Sequence, residues 1–237
     1  MYLEVTPITF PVKVKPGISL SQLRLFYGKR QDAEVRSDVL YRTIFNDAQK
    51  RDATLNVDLQ NTDIGGLSAA AFCAESSSGG QAIPLWVDKT KPDPCRHWIF
   101  QESTKDRLII EKERFYLLRS RELISVPAGI AVYCRASDET IGEMRIHYAG
   151  FAHPWFGLKR KDGKRGTPLI FEVRGHQVNV SLADGERMAT LTFYRMSQDA
   201  EEEEPKEYEE QTLQLSKFFA PWPAKLKRNA DGTLEAA

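Results

Sequence analysis

Two stretches of alternating apolar and polar residues, far apart in the chain, match each other position for position. Phe10-Pro-Val-Lys-Val-Lys15 alternates, Pro16-Gly17 interrupts it, and apolar positions resume from Leu20 to Phe26. Val178-Asn-Val-Ser-Leu182 alternates in the same way, Asp184-Gly185 turns, and Met188 to Tyr194 resumes. Val12 and Val180, Gly17 and Gly185, and Leu23 and Leu191 all pair at one offset, 168 residues, without a gap. A period of two is the pattern of a strand with one buried face, and glycine in the break suits a tight turn. The match runs backwards as well, where Leu3-Glu4-Val5 falls on Phe171-Glu172-Val173. Chance alternation would align apolar residues, but it gives no reason for a glutamate between the same kinds of neighbour at both ends. A duplicated β unit accounts for both. The chain then opens inside the last part of one repeat, residues 1–30, and carries a second repeat over 31–221. It reads as part of a longer protein, or as a short form lacking most of its first repeat.

The remaining chain is also rich in strands. Thr54-Leu-Asn-Val-Asp-Leu59, Arg107-Leu-Ile-Ile110, Phe115-Tyr-Leu-Leu118, Leu123-Ile-Ser-Val126 and Ile130-Ala-Val-Tyr133 are short apolar runs separated by charged or Pro-Gly turns. Ser37-Asp38 caps a short helix through Leu40 and Ile44. Residues 64–83, rich in Gly, Ser and Ala, read as a mobile loop or insertion, and 222–237 as a C-terminal tail, disordered from Lys225 onward. Many short strands with few short helices predict an all-β fold, a barrel or jelly roll.

Composition removes several function classes. Lys plus Arg and Asp plus Glu both number 33, so no net field draws the chain to nucleic acid or to a membrane surface. The oppositely charged runs Lys159–Arg165 and Glu201–Glu210 read first as solvated loops; the basic one is a lesser candidate for attracting a triphosphate. Three widely spaced cysteines (Cys73, Cys95, Cys134) argue against a disulfide framework and fit a reducing compartment. With no apolar leader and no membrane-length apolar run, the expected location is the cytoplasm.

Glu172 is the sharpest chemical candidate. In Leu169-Ile-Phe-Glu-Val-Arg174, strand alternation separates Leu169, Phe171 and Val173 from Ile170, Glu172 and Arg174. Such a glutamate is commonly a surface residue opposite a core face; its recurrence as Glu4 gives it weight. Partial burial would raise its pKa and suit it to accept and return a proton near neutral pH. A zinc site built on H-x-E with C-x-x-C is not expected, because the sequence has neither. His147 reads as a core-edge residue, and Trp98, Trp155 and Trp222 as packing residues, with Trp155 a lesser candidate for the pocket.

Several motifs together resemble the dCTP deaminases, and specifically the second half of their long, two-repeat, dUTPase-fold members. They are Phe115-Tyr-Leu-Leu with Val126-Pro-Ala-Gly-Ile, His147-Tyr-Ala-Gly-Phe with Pro154, Gly166-Thr-Pro-Leu-Ile-Phe-Glu172, Asp184-Gly185, Tyr208-Glu-Glu-Gln211, and the closing Leu215-Ser-Lys-Phe. The resemblance implies a mainly β, dUTPase-like barrel and hydrolytic deamination of dCTP to dUTP and ammonia without a catalytic metal. It makes Glu172 the base that activates water, and Glu4 its counterpart in the first repeat. It assigns Arg135, Ser137, Ala149, Tyr208 and Gln211 to the substrate. Magnesium would travel with the nucleotide triphosphate, zinc is not needed, and a trimer-like homo-oligomer is expected.

The family pattern is broken at several phosphate positions. Arg-Ser-Ser becomes Arg135-Ala136-Ser137, an arginine becomes Thr140, Asp-Pro-Gly becomes His153-Pro154-Trp155, and the lysine before the tail tyrosine becomes Glu207. Two other readings therefore stay open. One is a catalytically degenerate structural or regulatory half. The other is a dUTPase-type triphosphate hydrolase, which the loss of that aspartate disfavours.

Overall fold

The computed structural model describes residues 4–20, 25–75, 82–86, 91–137, 144–146, 150–158, 165–201, 213 and 215–237. Strands dominate the described residues, with one α-helix, Asp38–Phe45, so the all-β expectation holds. The chain divides into two compact units. One comprises Met1–Leu23, Asn61–Glu102 and Leu215–Ala237, the other Arg24–Gln60 and Ser103–Gln214.

The second unit is built on one antiparallel sheet. Its strands lie in the spatial order Met144–Ile146, Thr167–Gly175, Phe115–Ile124, Thr54–Asp58, Arg187–Arg195, Ile130–Ala136 and Phe151–Ala152. One face is core: Leu55, Val57, Tyr116, Leu118, Phe171, Val173, Leu191, Phe193 and Val132 are all at most 3% exposed. The period-two pattern that marked these segments as strands is thus the burial of alternate side chains. The helix packs through Ile44 and Phe45, and Asn46 ends it in the left-handed conformation (φ 50°). Ser37 holds the extended N-cap position but makes no side-chain capping bond.

The first unit is smaller in its elements. Val12–Lys13 runs parallel to Ile83–Pro84, Ala71–Ala74 pairs with Trp98–Gln101, and Thr62–Ile64 pairs with Leu67–Ala69. Phe10 meets the rings of His97, Trp98 and Phe219 edge-on, at centroid distances of 5.3, 5.2 and 6.1 Å.

Four local expectations need correction. Leu67–Ala74 is not loop but holds two short strands, Leu67–Ala69 and Ala71–Ala74, and Ala69 to Cys73 is buried with Phe72 at its centre. Lys225–Ala237 is not disordered. Leu226–Arg228 and Leu234–Ala236 form a hairpin, with both leucines buried and Gly232 at φ 86° in the turn. Phe115–Leu118 and Leu123–Val126 are not two strands, since Phe115–Ile124 is continuous, with its register to the 167–175 strand shifting between Arg119 and Leu123. Finally, Glu4 and Val5 are exposed and lie outside any strand. Gly17 and Gly185 both take positive φ, 84° and 77°, but Val12–Lys13 pairs in parallel and Val180–Ala183 antiparallel with their neighbours.

Candidate functional site

Glu172 stands in the middle of the Thr167–Gly175 strand, directly across from Leu117. Its neighbours Phe171 and Val173 point into the core, which turns Glu172 to the opposite face. That side chain is exposed in the single chain and makes no hydrogen bond or ion pair among the described residues. Burial among its surroundings nevertheless raises its carboxyl above the ordinary value. The two facts describe different things. The exposed surface decides that the group can be reached, and the raised value reflects partial desolvation by the atoms around it.

The sheet register carries this face across five strands. Glu172 pairs with Leu117; Arg119, two residues on, pairs with Asp58; and Thr54, four residues back along that strand, pairs with Thr190. Thr190 in turn pairs with Arg135. Glu172 and Arg135 therefore share one face, with three strands between them. Midway, Arg119 Nε donates to Asp58 Oδ2 at 2.8 Å and Arg119 Nη2 to the Gln60 carbonyl at 3.1 Å.

Arg135 and Ser137 do come together. Arg135 is exposed near the end of the Ile130–Ala136 strand, and the Ser137 amide donates to the Met188 carbonyl at 2.9 Å. Arg187 joins them, its Nε donating to Ser137 Oγ and its Nη2 to Thr190 Oγ1, both at 3.3 Å. Arg187 and Thr190 were not singled out from the sequence. Strict alternation puts Arg187 on the core face with Ala189 and Leu191, but the register to Asn56–Leu55 shifts between Arg187 and Ala189, and that irregularity turns Arg187 outward. The available sequence signal was weaker: Thr190, Thr192 and Tyr194 alternate on the polar face.

The other assigned residues fall elsewhere. Glu4 belongs to the other unit. Ala149, Tyr208, Gln211 and His147 lie outside the described residues, as do Thr140, Glu207, most of the basic loop and most of the acidic run. Trp155 is at φ 74° and its Nε1 donates to the Ala200 carbonyl at 3.1 Å, a packing role. A cavity of about 360 Å³ lies beside Thr190 and Thr192, lined also by Arg36, Tyr41, Arg51 and Asp52. A second, of about 260 Å³, lies beside Phe26, Tyr27 and Tyr194. Glu172 lines neither. Among the described residues no three His, Cys, Asp or Glu side chains gather as a metal site would need, and no helix is long and apolar enough to cross a membrane.

Two family models match the chain. The 2'-deoxycytidine 5'-triphosphate deaminase (DCD) N-terminal domain matches residues 1–29, and the C-terminal domain of the same family matches residues 30–219. The chain belongs to the dCTP deaminase family. Its fold agrees with that membership. The crystal structure of 2'-deoxycytidine 5'-triphosphate deaminase from Agrobacterium tumefaciens matches with a TM-score of 0.55 at 28% identity, over 62% of this chain and 41% of that one. The chain thus spans less than half the length of that dCTP deaminase. No curated protein matches it. The family that the motifs resembled is the family found, and the mainly β, dUTPase-like architecture expected of a dCTP deaminase stands.

Proposed function

We propose that the chain serves the hydrolytic deamination of dCTP to dUTP and ammonia, with Glu172 carrying the proton. The observation behind this is the state of Glu172: mid-strand, reachable from solvent, unengaged among the described residues, and raised by burial. A raised carboxyl has a proton affinity nearer to neutral, which suits one group to take a proton and give it back. The carboxylate accepts a proton from water as the water oxygen bonds to C4 of cytosine. The C4–N bond then breaks, Glu172 returns the proton to the departing nitrogen, and C4 keeps the oxygen as a carbonyl while the second water proton ends on N3 of the ring. One water is consumed, one ammonia leaves, and the triphosphate is untouched.

Arg135 and Ser137 are assigned to the phosphates, the Ala149 main chain to the base and water, and Tyr208 and Gln211 to substrate binding. Magnesium belongs to the substrate, bound to its phosphate oxygens. The three strands separating Glu172 from Arg135 favour a site completed by a second copy, in a trimer-like assembly. Glu4 would serve the corresponding site of the other repeat. A cytoplasmic enzyme feeding dUTP to thymidylate synthesis is the setting this chemistry fits.

Incubating the chain with dCTP and assaying ammonia and pyrophosphate tests the reading. Ammonia alone is expected, and Glu172→Gln should lower its release by at least about 100-fold. Unchanged release in that variant removes Glu172 from the mechanism. A second reading, a non-catalytic half, is favoured by the two cavities, neither of which Glu172 lines. It predicts neither product, whereas pyrophosphate would indicate dUTPase-type hydrolysis.

A further inference from the structure

We infer that the surface formed by Leu25, Tyr27 and Met196, with Asp32 and Arg195 at its rim, is a twofold interface between two copies of this chain. Half-buried Phe26 packs edge-on against the Tyr194 ring at 5.4 Å, which leaves Leu25 and Tyr27, on either side of it, to solvent. They are 86% and 91% exposed, the highest values of any large apolar side chain among the described residues, and Met196 is 36% exposed. All three line the cavity of about 260 Å³, as do Asp32 and Arg195. The wall behind them is fixed. Arg30 Nε donates to the Tyr194 hydroxyl at 2.7 Å, its guanidinium lies 5.0 Å from the centre of that ring, and the Met196 amide donates to the Gly129 carbonyl at 2.9 Å. Apolar groups held out on a pre-ordered wall lose little freedom when a partner covers them.

The rim decides the occupant. Asp32 and Arg195 are exposed, and neither side chain makes a hydrogen bond or ion pair among the described residues. One acid and one base bordering the same cavity make the patch complementary to itself. Across a twofold axis each copy's Asp32 meets the other copy's Arg195, while the apolar groups of both bury against one another. A uniformly acidic or basic partner would answer one of these charges and repel the other. Tyrosine, methionine and arginine are also residue types enriched in buried interfaces. The surface lies away from the phosphate residues: Arg195 pairs with Ile130, whereas Arg135 pairs with Thr190, about 17 Å back along the strand. This contact is therefore separate from one that brings a second copy to Glu172 or Arg135, and it stands whether or not the chain deaminates dCTP.

The test is sedimentation equilibrium of the full 237-residue chain. The wild-type assembly should be an even multiple of the chain mass. Asp32→Arg and Arg195→Glu each set like charges against one another across the axis, and each should weaken the pairing by roughly tenfold or more, read as a halved mass at the same concentration. An equimolar mixture of the two variants should regain the wild-type mass, because each supplies the charge that the other lacks. A pair closed within one chain would not return on mixing. If either charge variant fails to fold, Tyr27→Lys, at a 91% exposed position, should halve the mass while keeping the melting transition. A wild-type mass that is an odd multiple, variants that keep the wild-type mass, or a mixture that stays at the halved mass overturns the interface.

Discussion

Leu117 and Glu172 are direct cross-strand partners, an apolar side chain set against the carboxylate proposed to move the proton. Leu117 is 7% exposed, so it keeps water from one side of that carboxylate, and burial raises the Glu172 carboxyl. Leu117→Asn admits a polar group there and lowers the desolvation cost of ionising Glu172. The base must be ionised to accept a proton, so activity rises as pH climbs through its pKa. The acid limb of the ammonia-release profile should therefore move to lower pH in Leu117→Asn. An unmoved limb with intact folding would mean that Leu117 does not set the titration.

The same shift affects stability with a definite sign. A carboxyl raised in the folded state binds its proton more tightly folded than unfolded, so its contribution is full below the unfolded value and is lost as pH rises through the folded one. Glu172→Gln removes that loss. Its melting temperature should match the wild type in acid and exceed it at pH above the titration, read by calorimetry across a pH series. Higher stability together with lost ammonia release would be the trade expected of a catalytic group.

Some of this was legible in the sequence because it is local. Alternation fixed which face Glu172 takes, since Phe171 and Val173 on either side must be buried, and Asp184-Gly185 marks a turn that demands positive φ. What escaped is non-local. Arg187 leaves its expected face through an irregularity against Asn56, more than a hundred residues away in sequence. Ala69–Cys73 sits in a Gly-, Ser- and Ala-rich stretch that reads as loop, yet Phe72 and its small neighbours are buried there. The Leu226–Leu234 hairpin carried an Asp231-Gly232 turn signal that its charged surroundings obscured. Each strand is visible in sequence, but which strands meet is a property of pairing.

Arg119 and Asp58 form an ion pair with side chains 10% and 20% exposed. Removing one partner strands the other in a poorly solvated place, so Arg119→Met should cost about 2–4 kcal/mol in urea unfolding. Replacing both, as Arg119→Met with Asp58→Leu, should cost clearly less than the single change, because no charge is left alone. A double variant as unstable as the single one would show that the Gln60 carbonyl, not Asp58, is the partner that matters.

All three cysteines are buried thiols in no disulfide, and burial pushes those of Cys95 and Cys134 up to about 12. Thiol reagents attack the thiolate, which is then scarce at neutral pH. The native chain should react negligibly with a chromogenic disulfide reagent at pH 7.5, and all three cysteines should react promptly in guanidinium. Fast native labelling would place at least one cysteine nearer the surface than its burial implies.

Asp184 ties the Asp184-Gly185 turn to the end of the Thr54–Asp58 strand. Its Oδ1 accepts from the Leu59 amide at 2.9 Å, and its Oδ2 accepts from Gln60 Nε2 at 3.1 Å and from Arg121. Burial alone would raise this carboxyl; the bonds from Leu59, Gln60 and Arg121 outweigh it, and the group sits below its ordinary value. For a depressed carboxyl the stabilisation is present above the unfolded value and is lost as pH falls through the folded one. Asp184→Asn keeps an acceptor for Leu59 but loses the charge that Arg121 answers. It should cost about 1–2 kcal/mol at neutral pH, and the gap to wild type should close on acidification, because protonation then removes the same charge from the native protein. Urea unfolding at pH 7 and at pH 3 measures both halves. A gap that persists at pH 3 would assign the cost to altered hydrogen-bond geometry instead of to the lost charge.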